Sequence, residues 1–151
     1  MEKLIVAKFG GSAIGVDGEG LPTIVNRVKS LKSDSKVIIV CSAPLTRIDD
    51  EKSSLTDIML NLGNNAANGG DFSIKIIEQS YSKILQMVND NYKEQCKDVI
   101  DEMLGLTSKL LKDAKAQSKF EDEIRAKVLA YSGEILMSHI LNYVLKSNGI
   151  K

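Results

Sequence analysis

Two short apolar runs near the N-terminus, residues 3–9 and 36–41, restrict what this chain can fold into more than any other feature. Both are near-continuous rather than alternating: Leu4-Ile5-Val6-Ala7 leads into Lys8-Phe9, and Lys36 leads into Val37-Ile38-Ile39-Val40-Cys41. Such runs are expected of strands buried on both faces. Between them, Gly15, Gly18 and Gly20 keep residues 13–20 loop-like, and Leu21, Ile24, Val25, Val28 and Leu31 recur at helical spacing around Pro22. Proline suits the first turn of a helix, where the N–H it lacks would have no partner. Strand, helix, strand predicts a βαβ unit with a parallel pair of strands.

In parallel sheets ligands collect at the carboxyl ends of the strands. The first strand ends in Lys8-Phe9-Gly10-Gly11-Ser12 and the second in Ser42-Ala43, so both ends carry polar or glycine residues on one sheet edge. Gly10 and Gly11 have no Cβ, which lets backbone N–H groups approach a phosphate, while Lys8 supplies a point charge. No G-x-x-x-x-G-K-[ST] loop and no G-x-G-x-x-G fingerprint is present. A simple turn is the competing reading of the glycine pair.

Beyond residue 44 the chain reads as helical after a polar, loop-like stretch at 45–53. Ser53 or Ser54 is placed to cap a helix carrying Leu55, Ile58, Met59 and Leu62, and Asp71 to cap one carrying Phe72, Ile76, Ile77, Ile84, Leu85 and Val88. Asn91 with Glu94, and Ser118 with Glu121, have capping-box spacing ahead of two more apolar stripes. An interruption is expected at Ser132-Gly133-Glu134, and Ser147-Asn148-Gly149 reads as the close of the last helix. Two strands are too few for so many helices, so the chain is expected to be the first part of a larger α/β domain, with a helical domain carrying a small sheet as the competing reading.

The motifs, in order, are Lys8-Phe9-Gly10-Gly11-Ser12, Val40-Cys41-Ser42-Ala43, Ser54-Leu55-Thr56-Asp57 and Ser132-Gly133-Glu134. Together they resemble the N-terminal portion of an aspartate kinase, within the amino acid kinase superfamily. The resemblance spans almost all 151 residues, with a helical insertion at about 54–130. It implies a three-layer αβα sandwich with a mainly parallel sheet, here truncated and helix-rich, with the ATP-binding part and any regulatory domains absent. It further implies ATP-dependent phosphorylation of the aspartate β-carboxylate to 4-phospho-aspartate, a step in making lysine, threonine and methionine. The cofactors implied are ATP and Mg2+, the metal bound mainly through the nucleotide and not by protein ligands.

By the same resemblance, Lys8 stabilises the transferred phosphoryl group, Gly10 and Gly11 donate N–H bonds to phosphate oxygens, and Ser12 lies beside them. Ser42 and Thr56 fall in the aspartate site, and Glu134 meets the substrate ammonium. Two departures stand out: Ala13 replaces a customary hydroxyl, and Pro44 with the stretch to Ser53 makes Thr46 a competitor of Thr56. The isolated chain is expected to lack useful kinase activity. Another superfamily member, or a non-catalytic helical interaction module, remains as the alternative.

Composition bounds the partners. Twenty Lys and Arg side chains balance twenty Asp and Glu, so no charge excess favours nucleic acid or an anionic membrane. Cys41 and Cys96 form no Cys/His cluster with the single histidine, His139, and a cytoplasmic setting is expected. The small-molecule partners are aspartate and ATP, and a homo-oligomer is expected from the resemblance.

Overall fold

A computed structural model describes residues 3–151. The chain opens with β1 (Lys3–Phe9), a one-turn helix α1 (Gly11–Ile14), α2 (Leu21–Lys32) and β2 (Ser35–Cys41). Strands β1 and β2 pair in parallel from Lys3 opposite Ser35 to Phe9 opposite Cys41, with α2 as the crossover. The βαβ unit is therefore present, and the architecture is α/β with a parallel sheet and helices.

The stretch after β2 departs from the loop expected there. It folds into an antiparallel hairpin, β3 (Leu45–Ile48) and β4 (Glu51–Ser54). Asp49 and Asp50 form its two-residue turn with φ of 48° and 66°; primed hairpin turns require positive φ at both positions, and aspartate tolerates it. Helices then follow in series: α3 (Leu55–Ala67), α4 (Lys75–Leu85), α5 (Asp90–Gln117), α6 (Asp122–Ser132) and α7 (Glu134–Ser147).

Several expected helix starts shift. Ser54 does cap α3, its hydroxyl accepting from the Thr56 N–H at 3.1 Å. Asp71 instead accepts from Phe72 N–H, three residues ahead of the cap of α4 at Ile74. The cap of α5 is Asn89 rather than Asn91, because Asn89 is tied to Ser147 at the end of α7 by two hydrogen bonds. Ser118 closes α5 in the left-handed region instead of opening α6. The end of α7 matches expectation, with Gly149 at φ 75° and Ile150 N–H returning to the Leu145 carbonyl.

The core gathers Leu21, Ile24, Val25 and Val28 of α2 with Leu136, Met137, Ile140, Leu141 and Val144 of α7, and with Ile77, Tyr81 and Ile84 of α4. Helices α2 and α7 pack on β2, while α3, α5 and α6 pack mainly on one another and on α7. One face of the sheet is consequently bare. Leu4, Val6, Ile38 and Val40 are 60%, 64%, 50% and 45% exposed, which corrects the expectation of strands buried on both faces. The apolar run was real, but only one of its two faces meets a helical layer. Among the described residues no helix is long and apolar enough to cross a membrane.

Candidate active site

The carboxyl ends of β1 and β2 meet a short connecting segment, Ser42-Ala43-Pro44, that touches three helix N-termini. The Ser42 N–H donates to the Phe9 carbonyl at 3.0 Å, which carries the parallel ladder one step beyond β2. Ala43 then reaches the start of α1: a Cβ on Gly11 would lie 2.9 Å from the Ala43 carbonyl oxygen. On another side, a Cβ on Gly133 would lie 3.4 Å from the Ala43 methyl and 2.6 Å from the Leu129 carbonyl oxygen. Pro44 closes the set by accepting from the Leu55 N–H at 3.3 Å at the start of α3.

These contacts place the first turns of α1, α3 and α7 around one short segment. On this ledge the starts of α1 and α7 carry N–H groups without intrahelical acceptors, which favour anions, whereas at α3 the first two N–H groups are taken by the Pro44 carbonyl and the Ser54 hydroxyl. Gly10 caps α1 in extended conformation, and its carbonyl accepts from Ala13 and Ile14 at 2.9 and 3.1 Å. Open space lies where a Gly10 Cβ would be, whereas the space at Gly11 is filled by Ala43. The two glycines therefore differ: Gly10 leaves room for a ligand, and Gly11 lets β2's exit pass.

Lys8, Ser12, Ser42, Thr56 and Glu134 all belong to the segments that meet here. Lys8 is exposed at the end of β1, on the same outer face as Leu4 and Val6, opposite Val40 in the register. Ser12 is exposed in α1, Ser42 is half-buried after β2, Thr56 is half-buried in the first turn of α3, and Glu134 is exposed as the first residue of α7. Among the described residues no side-chain hydrogen bond or ion pair engages Lys8, Ser12, Ser42, Thr56 or Glu134. Their polar groups remain available to a ligand.

Thr46 is different. It is 3% exposed and donates to Asp17 Oδ1 at 2.8 Å, on the side of β3 where Lys83 also reaches Asp17 at 2.6 Å. Its hydroxyl is already committed to holding the hairpin to the α1–α2 turn.

The charge of Glu134 is felt by its neighbours. Burial pushes the Cys41 thiol up to about 11, and the Glu134 carboxylate adds to the rise. Burial likewise raises Tyr81 above its ordinary value, with further contributions from Glu134 and Cys41. Tyr81, fully buried in α4, donates to the Ser132 carbonyl at 2.6 Å just where α6 ends. This hydroxyl fixes the break whose other side begins with Glu134. Nothing in the local sequence around Tyr81 signals that role, because the contact joins residues 51 positions apart. His139 is exposed on α7 and joins none of this.

Among the described residues no three His, Cys, Asp or Glu side chains gather to hold a metal ion. The ledge offers N–H groups, hydroxyls and one lysine as donors, with the Glu134 carboxylate beside them.

The model of the amino acid kinase family matches residues 3–151. The chain belongs to the amino acid kinase family. Comparison with individual curated proteins gives no match. Amino acid kinases are phosphotransferases that generally use ATP, and the anion-favouring ledge of this kinase lies at the strand ends where such a ligand is expected.

Proposed function

We propose that this amino acid kinase chain is the substrate-side part of an aspartate kinase, which transfers the γ-phosphoryl group of Mg-ATP to the β-carboxylate of aspartate. The observation that carries the reading is the convergence of three helix starts on Ser42-Ala43-Pro44 beside Lys8, with the polar side chains around it unengaged. The substrate carboxylate is itself the nucleophile, so catalysis needs positioning and charge neutralisation rather than a protein nucleophile. Lys8 and the N–H groups of Gly10 and Gly11, with Ser12 beside them, meet the phosphoryl oxygens as negative charge shifts toward the leaving phosphate. Ser42 and Thr56 hydrogen-bond the aspartate, and Glu134 pairs with its α-ammonium group.

The bare outer face of Leu4, Val6, Ile38 and Val40 supports a second part of the same proposal. Residues 1–151 form one portion of a larger kinase domain, with helical insertion at about 54–130, and further elements cover that face and complete the ATP site. The 151-residue chain alone is then without useful turnover, and steady ADP release from it in the presence of aspartate contradicts this division.

Calorimetric titration with L-aspartate, L-glutamate and N-acetyl-L-glutamate, each with Mg-ATP present, tests the substrate assignment. Aspartate is expected to bind most tightly, and Glu134→Gln to weaken it about tenfold by loss of a charged hydrogen bond. Preference for the N-acetylated amino acid, which has no ammonium group for Glu134, reassigns the chain to another branch of the family.

A further inference from the structure

The loop between α1 and α2 holds an aspartate where a glycine would fit more easily. Asp17 has φ 49°, in the left-handed region, and is followed by Gly18 at φ 82°. Glycine adopts such a conformation with less strain, so the side chain is what position 17 contributes. That side chain is 13% exposed and takes hydrogen bonds from two other elements: Thr46 Oγ1 of β3 donates to Oδ1 at 2.8 Å, and Lys83 Nζ of α4 to Oδ2 at 2.6 Å. The buried Ser80 hydroxyl, one turn before Lys83, lies beside the same carboxylate.

The backbone repeats the link. Asp17 N–H donates to the Leu45 carbonyl at 2.7 Å and Leu45 N–H to the Gly15 carbonyl at 3.1 Å, so β3 begins alongside this loop. Both ends of the hairpin run into the candidate site. Strand β3 starts directly after Ser42-Ala43-Pro44, and β4 ends at Ser54, whose hydroxyl caps α3 by accepting from the Thr56 N–H at 3.1 Å. Leu45 stands opposite Ser54 across the ladder, and Leu55 N–H returns to the Pro44 carbonyl at 3.3 Å. A hairpin displaced from Asp17 would carry Leu45, Ser54 and the first turn of α3 with it.

We propose that Asp17, acting through Thr46, is a positioning residue for the acceptor side of the site, a latch that seats the hairpin so that Ser42 and Thr56 address one amino acid substrate. The proposal rests on the reading of those two hydroxyls as the aspartate-binding groups and adds a residue that touches neither substrate. Lys83 holds the other oxygen of Asp17 and keeps the carboxylate turned toward Thr46.

The test uses the 151-residue protein with L-aspartate as the probe and Mg-ATP present, read by calorimetry and by the Thr56 amide resonance of 15N-labelled protein. Thr46→Val keeps the shape and removes the hydroxyl. It is expected to shift the Thr56 amide before ligand is added and to weaken aspartate about tenfold, since small misplacements of binding groups are costly. Thr46→Ser keeps the hydroxyl and is expected to restore both readouts. Lys83→Gln, at a largely exposed position, releases the other carboxylate oxygen and should weaken aspartate about threefold with little change in melting temperature. Val144→Ala, a core truncation in the second half of α7, lowers the melting temperature and should bind aspartate as wild type does. Wild-type affinity in Thr46→Val, or in Lys83→Gln where Thr46→Val does not fold, overturns the latch and leaves the acceptor hydroxyls standing. Equal weakening in Val144→Ala does the same, because the effect then tracks stability alone. Absence of aspartate binding by the wild type overturns the acceptor reading and the latch with it.

Discussion

Tyr81→Phe isolates the contact that sets the break between α6 and α7. The ring is fully buried, and phenylalanine keeps its volume, so no cavity opens. What is lost is one hydrogen bond, 2.6 Å from the hydroxyl to the Ser132 carbonyl, and a buried acceptor deprived of its donor costs about 1–3 kcal/mol. A chain of this length changes its melting temperature by about 2–4 °C per kcal/mol. Scanning calorimetry at pH 7 should therefore show a fall of roughly 2–12 °C. Tyr81→Leu loses shape as well as the hydroxyl and should fall farther. A Tyr81→Phe protein melting within about 1 °C of wild type would refute the role given to this hydroxyl, since nothing else distinguishes the two side chains.

Other outcomes follow from the same structure. Gly11→Ala forces a methyl to 2.9 Å from the Ala43 carbonyl oxygen, and overpacking of this kind costs about 1–3 kcal/mol; urea unfolding should register the loss, and Mg-ATP binding should weaken with it. At alkaline pH, burial holds the Cys41 and Cys96 thiols up at about 11, against 9.0 for a free thiol. Their contribution is complete below pH 9 and is lost as pH rises toward 11 because only the unfolded chain ionises. Urea midpoints should fall across that window, and less steeply in Cys41→Ala; a flat wild-type profile contradicts the burial of these thiols. For Asp17, partial burial raises the carboxyl, but hydrogen bonds from Lys83 and Thr46 outweigh it and leave the group below its usual 3.8. Stability from this group is present above that value and lost as pH falls through the lower folded one. Acid titration should thus cost the wild type more than Asp17→Asn, by no more than about 1 kcal/mol because Lys83 is largely exposed.

The sequence made some of this legible and hid the rest for identifiable reasons. The βαβ unit followed from two apolar runs and a one-faced helix, since each signal is local. The glycine break before Glu134 and the close at Gly149 were legible for the same reason. The hairpin is hard to see in the sequence: Asp49-Asp50 between two four-residue runs is a turn signal, but its strands are largely polar, and polarity argues for a loop. The caps expected at Asn91 and Ser118 failed because tertiary partners moved the helix boundaries, Asn89 being held by Ser147 from the far end of α7. One-sided burial of the sheet was invisible, because an apolar run records what a strand can bury and not what packs on it. For the ledge, residue types could be listed from the sequence, but the hub at Ala43-Pro44 could not. Its contacts join Gly11, Leu55 and Gly133, which only the fold brings together.

The strand ends and three helix starts around Ala43-Pro44 are proposed to bind both substrates of a phosphoryl transfer. Backbone amide NMR of the 15N-labelled protein, titrated first with Mg-ATP and then with aspartate, addresses this proposal most directly. Mg-ATP should shift the amides of Gly10, Gly11 and Ser12, and aspartate those of Ser42, Thr56 and Glu134. Shifts confined to other surfaces, such as the outer face of Leu4 and Ile38, or no shifts at millimolar ligand, would contradict it.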